Sequence, residues 1–221
     1  MINILSISPE ITKGMKSVGS KLLLPLRKNL TVIEYQISQL QKIKPSKIVL
    51  NIGFEADKIA DVLFRYKTID YLINKDYDNS NCGENLITYL HKYKPENLLV
   101  FGSGLLIRNH PIKKEYLNNE CQIFILNKSK KNFNIGCSDL DDIQYLFYDM
   151  LESWSEIFYL NNEAINILLN IDKKIFKHMY LFEIINLLLK NNIKFKKTYI
   201  NKNNIMKIQN LKDLKTAKIF I

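Results

Sequence analysis

The chain opens on an alternation that few folds accommodate. Short apolar runs at residues 2–7, 47–52, 69–73 and 97–101 are separated by longer stretches of mixed polarity. Runs this short, rich in Ile, Leu and Val, fit strands covered on both faces. Between the first two, Val32, Ile33, Ile37, Leu40 and Ile43 recur close to helical spacing, and Thr31 with Glu34 is placed for a capping box. Residues 55–66 and 84–93 read as two more helices, the latter ending before Pro95. Strand–helix alternation implies a parallel sheet with helices on both faces. The expected fold is a three-layer, Rossmann-like α/β domain over residues 1–221 with a mostly parallel central sheet.

The second half is less regular. Residues 122–126, a stretch within 142–148, 154–159 and 194–200 read as strands, and 162–170, 174–191 and 211–220 as helices. No composition break marks a linker, so residues 1–110 and 111–221 are read as two halves of one domain. In such sheets ligands bind beyond the carboxyl ends of the strands, where strand order switches. Those ends carry the loop after Ile7, Gly53, the polar loop 74–83 and the turn 102–104.

Composition narrows the partners. No apolar run approaches the ~20 residues that span a bilayer, and residues 1–7 read as a strand rather than a leader. Three widely spaced cysteines, Cys82, Cys121 and Cys137, fit reduced thiols in a cytoplasmic protein. The net charge is +10, but only Arg27, Arg65 and Arg108 are arginine. Arginine is the side chain suited to bidentate phosphate and base contacts, so the lysine-rich balance reads as a solvated surface and argues against nucleic acid.

Several segments carry more specific information. Ser20-Lys21-Leu22-Leu23-Leu24-Pro25 sets a lysine before a Leu-Leu-Pro turn and is followed by Val32-Ile33-Glu34-Tyr35-Gln36-Ile37. Residues 48–54 read Ile-Val-Leu-Asn-Ile-Gly-Phe, Asn74, Tyr77 and Asn81 share one loop, the fourth strand ends in Gly102-Ser103, and residues 207–214 read Lys-Ile-Gln-Asn-Leu-Lys-Asp-Leu. In this order they resemble the sugar-phosphate and phosphocholine-type nucleotidyltransferases, over nearly the whole length. The resemblance implies transfer of an NMP from an NTP to a phosphorylated sugar or alcohol, as in activation of surface-glycan or headgroup precursors. It implies that Lys21, with Lys13 or Lys16, holds phosphates. It places Ser8, Gly14, Gly53, Gly102 and Ser103 beside the nucleotide, and Asn74 and Asn81 beside the acceptor. It also implies magnesium as cofactor and pairing of two copies through the second half.

The chain departs from that family where the chemistry is done. The glycine-rich phosphate loop becomes Ser8-Pro9-Glu10-Ile11-Thr12-Lys13-Gly14, in which a proline removes an amide donor and a glutamate repels phosphate. The two aspartates that hold magnesium become Ser103 and Gln209. Magnesium takes hard oxygen ligands, with one or two carboxylates among them, and one missing transition-state interaction commonly costs ~3 kcal/mol. Two readings stay open: a diverged transferase with weak or lost activity, and a non-catalytic protein that binds a nucleotide or nucleotide-sugar or partners an active paralogue. Other groups point less far. Asp76, Asp78, Glu84, Asp139, Asp141 and Asp142 read as loop carboxylates, and His91, His110 and His178 lack metal-ligand spacing. Cys82, at a predicted helix start, has a setting that lowers a thiol pKa.

Overall fold

The structure is a computed structural model that describes residues 2–11, 14–102, 104–109, 111–113, 117, 119–126 and 133–221. The chain enters the sheet with β1 (Asn3–Ser8), passes the small hairpin β2 (Pro25–Arg27) and β3 (Leu30–Thr31), and crosses over α1 (Val32–Gln41) to β4 (Lys47–Ile52). Helix α2 (Ala56–Leu63) leads to β5 (Ile69–Ile73), and α3 (Cys82–Tyr93) returns to β6 (Leu98–Phe101). Then come β7 (Leu105–Ile107), β8 (Cys121–Leu126), β9 (Ile135–Cys137), β10 (Phe147–Tyr148) and the long β11 (Glu152–Leu160). Helices α4 (Asn162–Leu169) and α5 (Leu181–Lys190), strands β12 (Phe195–Ile200) and β13 (Ile205–Lys207), and α6 (Leu211–Phe220) complete it.

The main sheet runs β10-β9-β11-β6-β1-β4-β5, with β8 attached to β11 and β12 to β8. Strands β6, β1, β4 and β5 are parallel neighbours, as the alternation requires. Strand β11 joins β6 antiparallel, and β12 joins β8 parallel. The chain moves outward from β1 to β4 and β5, then returns to lay β6 on the other side. Strand order therefore reverses at β1, which opens a crevice beyond the carboxyl ends of β1 and β6.

Alternation of side chains along each strand divides the core between the two faces. Ile4, Ile48, Leu50, Leu99 and Phe101 pack with Val32, Ile37 and Ile59 of α1 and α2. Leu5, Ile7, Val49, Leu98 and Val100 pack with Leu86 and Leu90 of α3, Ile165 of α4 and Ile185 of α5. Helix α1 starts on the expected capping box: the Thr31 amide donates to Glu34 Oε2 at 2.8 Å, and the Glu34 amide donates to Thr31 Oγ1 at 3.4 Å. Burial pushes the Glu34 carboxyl up, but the Thr31 hydrogen bonds and the Arg65 charge outweigh it and leave the group below its usual value.

One expected element differs. The single helix read over 174–191 is a 3-10 segment, Lys173–His178, followed by α5. The break has a local and a distant cause. The Tyr180 amide donates to Glu183 Oε2 at 2.7 Å, which starts a new helix. The Lys177 and Met179 carbonyls accept from the Asn81 and Gly83 amides at 2.8 and 2.9 Å, so they serve the start of α3. The short strands β7, β9 and β13 carry no sequence signal of their own, whereas β10 lies within the stretch 142–148 read as a strand. Among the described residues no helix is long and apolar enough to cross a membrane.

Candidate functional site

A cavity of about 270 Å³ opens where strand order reverses. One side is built by Pro9 and Glu10 after β1, Gly102 after β6, and Ser80, Asn81 and Cys82 at the head of α3. The facing side comes from the second half: Tyr148, Trp154, Glu156, Tyr180, Phe182 and Lys207. That side is aromatic. Tyr180 stacks on Phe182 with ring centroids 6.0 Å apart, and Tyr148 meets Phe182 edge-on at 5.6 Å. Trp154 is fixed by its indole N–H, which donates to the Ile157 carbonyl at 2.9 Å.

Two ammonium–carboxylate pairs meet at the cavity: Glu10, Glu156 and Lys207 line it, and Lys21 lies behind Glu10. The Lys21 side chain is 6% exposed, and its Nζ lies 3.1 Å from Glu10 Oε1. Lys207 pairs with Glu156. Glu156 has φ of +63° in mid-strand, a left-handed conformation rare for a side chain of its kind. It sits at an irregularity of β11, where the register with β8 shifts between Trp154 and Phe158. A bulge of this kind re-aims a side chain, and here it turns a carboxylate into the cavity. A Cβ on Gly102 would lie 2.6 Å from Glu156 Oε2 and 2.8 Å from Glu156 Cβ, so a side chain there would crowd Glu156.

The Cys82 thiol feels all four charged groups. Burial pushes it well above its ordinary value, Glu10 and Glu156 push the same way, and Lys21 and Lys207 oppose them. The helix-start position, which by itself would lower a thiol pKa, is outweighed here by burial. Burial also raises Cys121 and Cys137, to about 11 each. We expect none of the three cysteines to be alkylated by iodoacetamide at pH 8 while the protein is folded, and all of them in denaturant. Rapid native labelling of Cys82, read by mass spectrometry, would show that this environment is wrong.

The other expected site residues are spread more widely. Asn81 and Gly102 line the cavity, and Lys21 reaches it through Glu10. Ser8 ends β1, buried opposite Ile52. Gly53 lies behind the cavity wall: the Phe54 amide donates to the Pro9 carbonyl at 2.9 Å, and a Cβ on Gly53 would approach that oxygen to 2.6 Å. Asn74 is taken up by its own loop, donating to Ser80 Oγ and accepting from the Asp76 amide, both at 2.9 Å. Asn81 Nδ2 donates to the His178 carbonyl at 2.5 Å. Gly14, with φ of +74°, and Lys16 are both exposed. Lys13 and Ser103 lie outside the described residues. The Gln209 amide donates to Asp213 Oδ2 at 2.8 Å, so that aspartate serves the start of α6. Sequence reasoning missed Glu156, Lys207, Tyr148, Tyr180 and Phe182. The paired use of Glu10 and the bulge at Glu156 are tertiary features with no local signature.

No family model and no curated protein sequence matches the chain. Solved structures do. A CTP:phosphocholine cytidylyltransferase from Streptococcus pneumoniae superposes with a TM-score of 0.79 at 14% identity, over 99% of this chain and 98% of that one. The inositol-1-phosphate CTP transferase from T. maritima gives 0.80 at 12% identity, over 99% and 94%. A nucleoside-diphosphate-sugar pyrophosphorylase from Vibrio cholerae gives 0.76 at 9% identity, over 99% and 100%. The chain has the fold of these nucleotidyltransferases.

Magnesium, which that fold family implies, is not matched by the described carboxylates of this cavity lining, Glu10 and Glu156. A magnesium site needs carboxylates free to turn toward the ion. Here Glu10 and Glu156 each face a lysine ammonium. Among the described residues no group of three or more His, Cys, Asp or Glu side chains could hold a metal ion. Of the described lining residues Lys207 is the one cation, and Lys21 lies behind Glu10.

Proposed function

We propose that the protein binds a nucleotide, or a nucleotide conjugate of a small phosphorylated alcohol, in the cavity beyond β1 and β6, and that magnesium-assisted NMP transfer there is weak or lost. The observation that carries this reading is that both carboxylates of the described cavity lining, Glu10 and Glu156, are paired with lysines, Lys21 and Lys207, where a metal-dependent enzyme would need free carboxylates. The nucleotide side belongs to residues 1–110 and the acceptor side to 111–221. The aromatic wall of Tyr148, Tyr180 and Phe182, with Glu156 on the same cavity, suits an apolar or cationic alcohol. The phosphocholine enzyme that shares the fold acts on a phosphorylated cationic alcohol.

A thermal-shift series tests this reading. NTPs and NDP- or CDP-alcohol conjugates are compared, each with magnesium and with EDTA. A ligand at a hundred times its Kd stabilises by about 2.7 kcal/mol. We expect a conjugate to raise the Tm equally in both buffers. No shift with any nucleotide would end the proposal. A shift that needs magnesium, with pyrophosphate released from an NTP and a phosphorylated alcohol, would instead establish an active transferase.

A further inference from the structure

We propose that Glu55 is a positioning residue, whose carboxylate clasps the Ser20 amide and so holds the segment that returns to the cavity where ligand binding requires it. The inference rests on the cavity being the ligand site and adds what fixes its β1 side.

Helix starts in this protein follow a common design. Thr31, Asn161 and Asn210 are extended, and each accepts an amide from the first turn of its own helix. Glu55, which precedes α2, does neither. Its backbone is left-handed, with φ of +56° and ψ of 35°, and its side chain caps nothing in α2. The left-handed residues Lys44, Lys94 and Asn192 follow helices, where this conformation is a common ending. At a helix start it brings strain without local gain, and a glutamate tolerates it less well than Gly, Asn or Asp.

The compensating contact lies across the fold. Glu55 Oε2 accepts from the Ser20 amide at 2.5 Å, and Oε1 accepts from the Lys58 ammonium at 2.5 Å. Lys58 first, and then the Ser20 amide, hold the carboxyl below its usual value, so it is ionised at neutral pH. Gly19, with φ of +91°, allows the approach, because a Cβ there would lie 2.7 Å from Glu55 Oε2.

From Ser20 the contact leads to the cavity. Ser20 Oγ accepts from the Leu22 amide at 3.4 Å and starts the 3-10 turn Lys21–Leu23. Lys21 meets Glu10, which lines the cavity. The residue before Glu10 is tied to the same place, since the Pro9 carbonyl accepts from the Phe54 amide at 2.9 Å. Residues 53–55 therefore fasten both the segment that leaves β1 and the segment that returns to Lys21. A site held in place before its ligand arrives binds more tightly than one that must be ordered on binding.

Glu55→Asn and Glu55→Gly test the proposal, because both suit a left-handed backbone and neither spans the distance to Ser20. A residue that only stabilised the fold would lower the Tm and the ligand response together, whereas a positioning residue separates them. The Tm without ligand is expected to stay within about 2 °C of wild type, as relief of strain offsets the lost hydrogen bond. Hydrogen exchange of the Ser20 amide, followed by NMR, is expected to speed up by about tenfold or more. The NTPs and CDP-alcohol conjugates of the thermal-shift series are the probes. For the one that shifts wild type most, the Kd by calorimetry in EDTA is expected to rise about tenfold. Glu55→Gln keeps an acceptor within reach of Ser20 and is expected to bind within about threefold of wild type. Asn and Gly variants that bind as wild type does overturn the proposal, as does a loss of affinity that comes only with a matching loss of Tm. In either case a wild type that still responds to nucleotides leaves the ligand site standing. Should wild type respond to none of them, the ligand site falls and this inference with it.

Discussion

Lys197→Met is expected to destabilise the protein by about 3–5 kcal/mol, the usual cost of removing one partner of a buried ion pair. In a chain of this length that corresponds to a fall in Tm of roughly 10 °C. The substituted side chain fills much of the same volume, so the loss is electrostatic. Without the ammonium, the Ser138 and Leu140 carbonyls and one oxygen of Glu152 lose their donor. Glu152 keeps the weak Cys137 thiol donor at 3.8 Å and the Tyr199 hydroxyl, whose own proton is held up to about 12, first by that hydrogen bond and then by burial. The contacts join β12 to the start of β11 and to the 138–140 segment, so the lesion falls on the half of the sheet that carries the aromatic wall. Lys197→Met with Glu152→Leu separates the explanations. Removing both charges leaves no orphaned carboxylate, and the double variant is expected to recover much of the loss. A single variant within about 0.5 kcal/mol of wild type, the range of ordinary surface changes, would mean that this lysine is not buried as described.

The parallel half of the sheet was legible because its signals are local. The runs at 47–52 and 69–73 are β4 and β5 to the residue, and Thr31 with Glu34 caps α1 as their spacing requires. Strands β7 and β13 were not legible, since three residues pair across nearly a hundred positions and neither alone has a period. The break between Lys173–His178 and α5 was hidden for the same reason: the carbonyls at Lys177 and Met179 are claimed by α3. The site divides along the same line. Gly102 and Lys21 stand next to recognisable strands and turns. Glu156 lies within an apolar strand and reaches the cavity only because a bulge and a left-handed backbone turn it there. Glu10 was read as a group that repels phosphate; its partner Lys21 could not be seen from the sequence.

Gly83→Val is expected to cost about 3 kcal/mol and to weaken the ligand response as well. Gly83 lies in the first turn of α3, where that helix meets the 3-10 segment. A Cβ there would lie 2.7 Å from the Met179 carbonyl and 2.7 Å from the Phe176 carbonyl. Both obstacles are backbone, and neither can turn aside as a side chain would. Overpacking of this kind costs about 1–3 kcal/mol, and a branched side chain belongs at the upper end. Relief requires α3 and the 176–179 backbone to separate. The contacts opposing that are the Gly83 amide to the Met179 carbonyl at 2.9 Å and the Asn81 amide to the Lys177 carbonyl at 2.8 Å. Asn81 and Cys82 lie on one side of this junction, Tyr180 and Phe182 on the other, and all four line the cavity. The displacement that lowers stability therefore also parts the α3 side of the cavity from the aromatic wall. Gly83→Ala should act in the same direction with a smaller effect. Urea unfolding gives the stability term, and the thermal shift with nucleotide conjugates gives the second. A stable Gly83→Val protein with an unchanged ligand shift would show that α3 does not dock this closely. A loss of stability with the ligand shift intact would show that the cavity lies elsewhere.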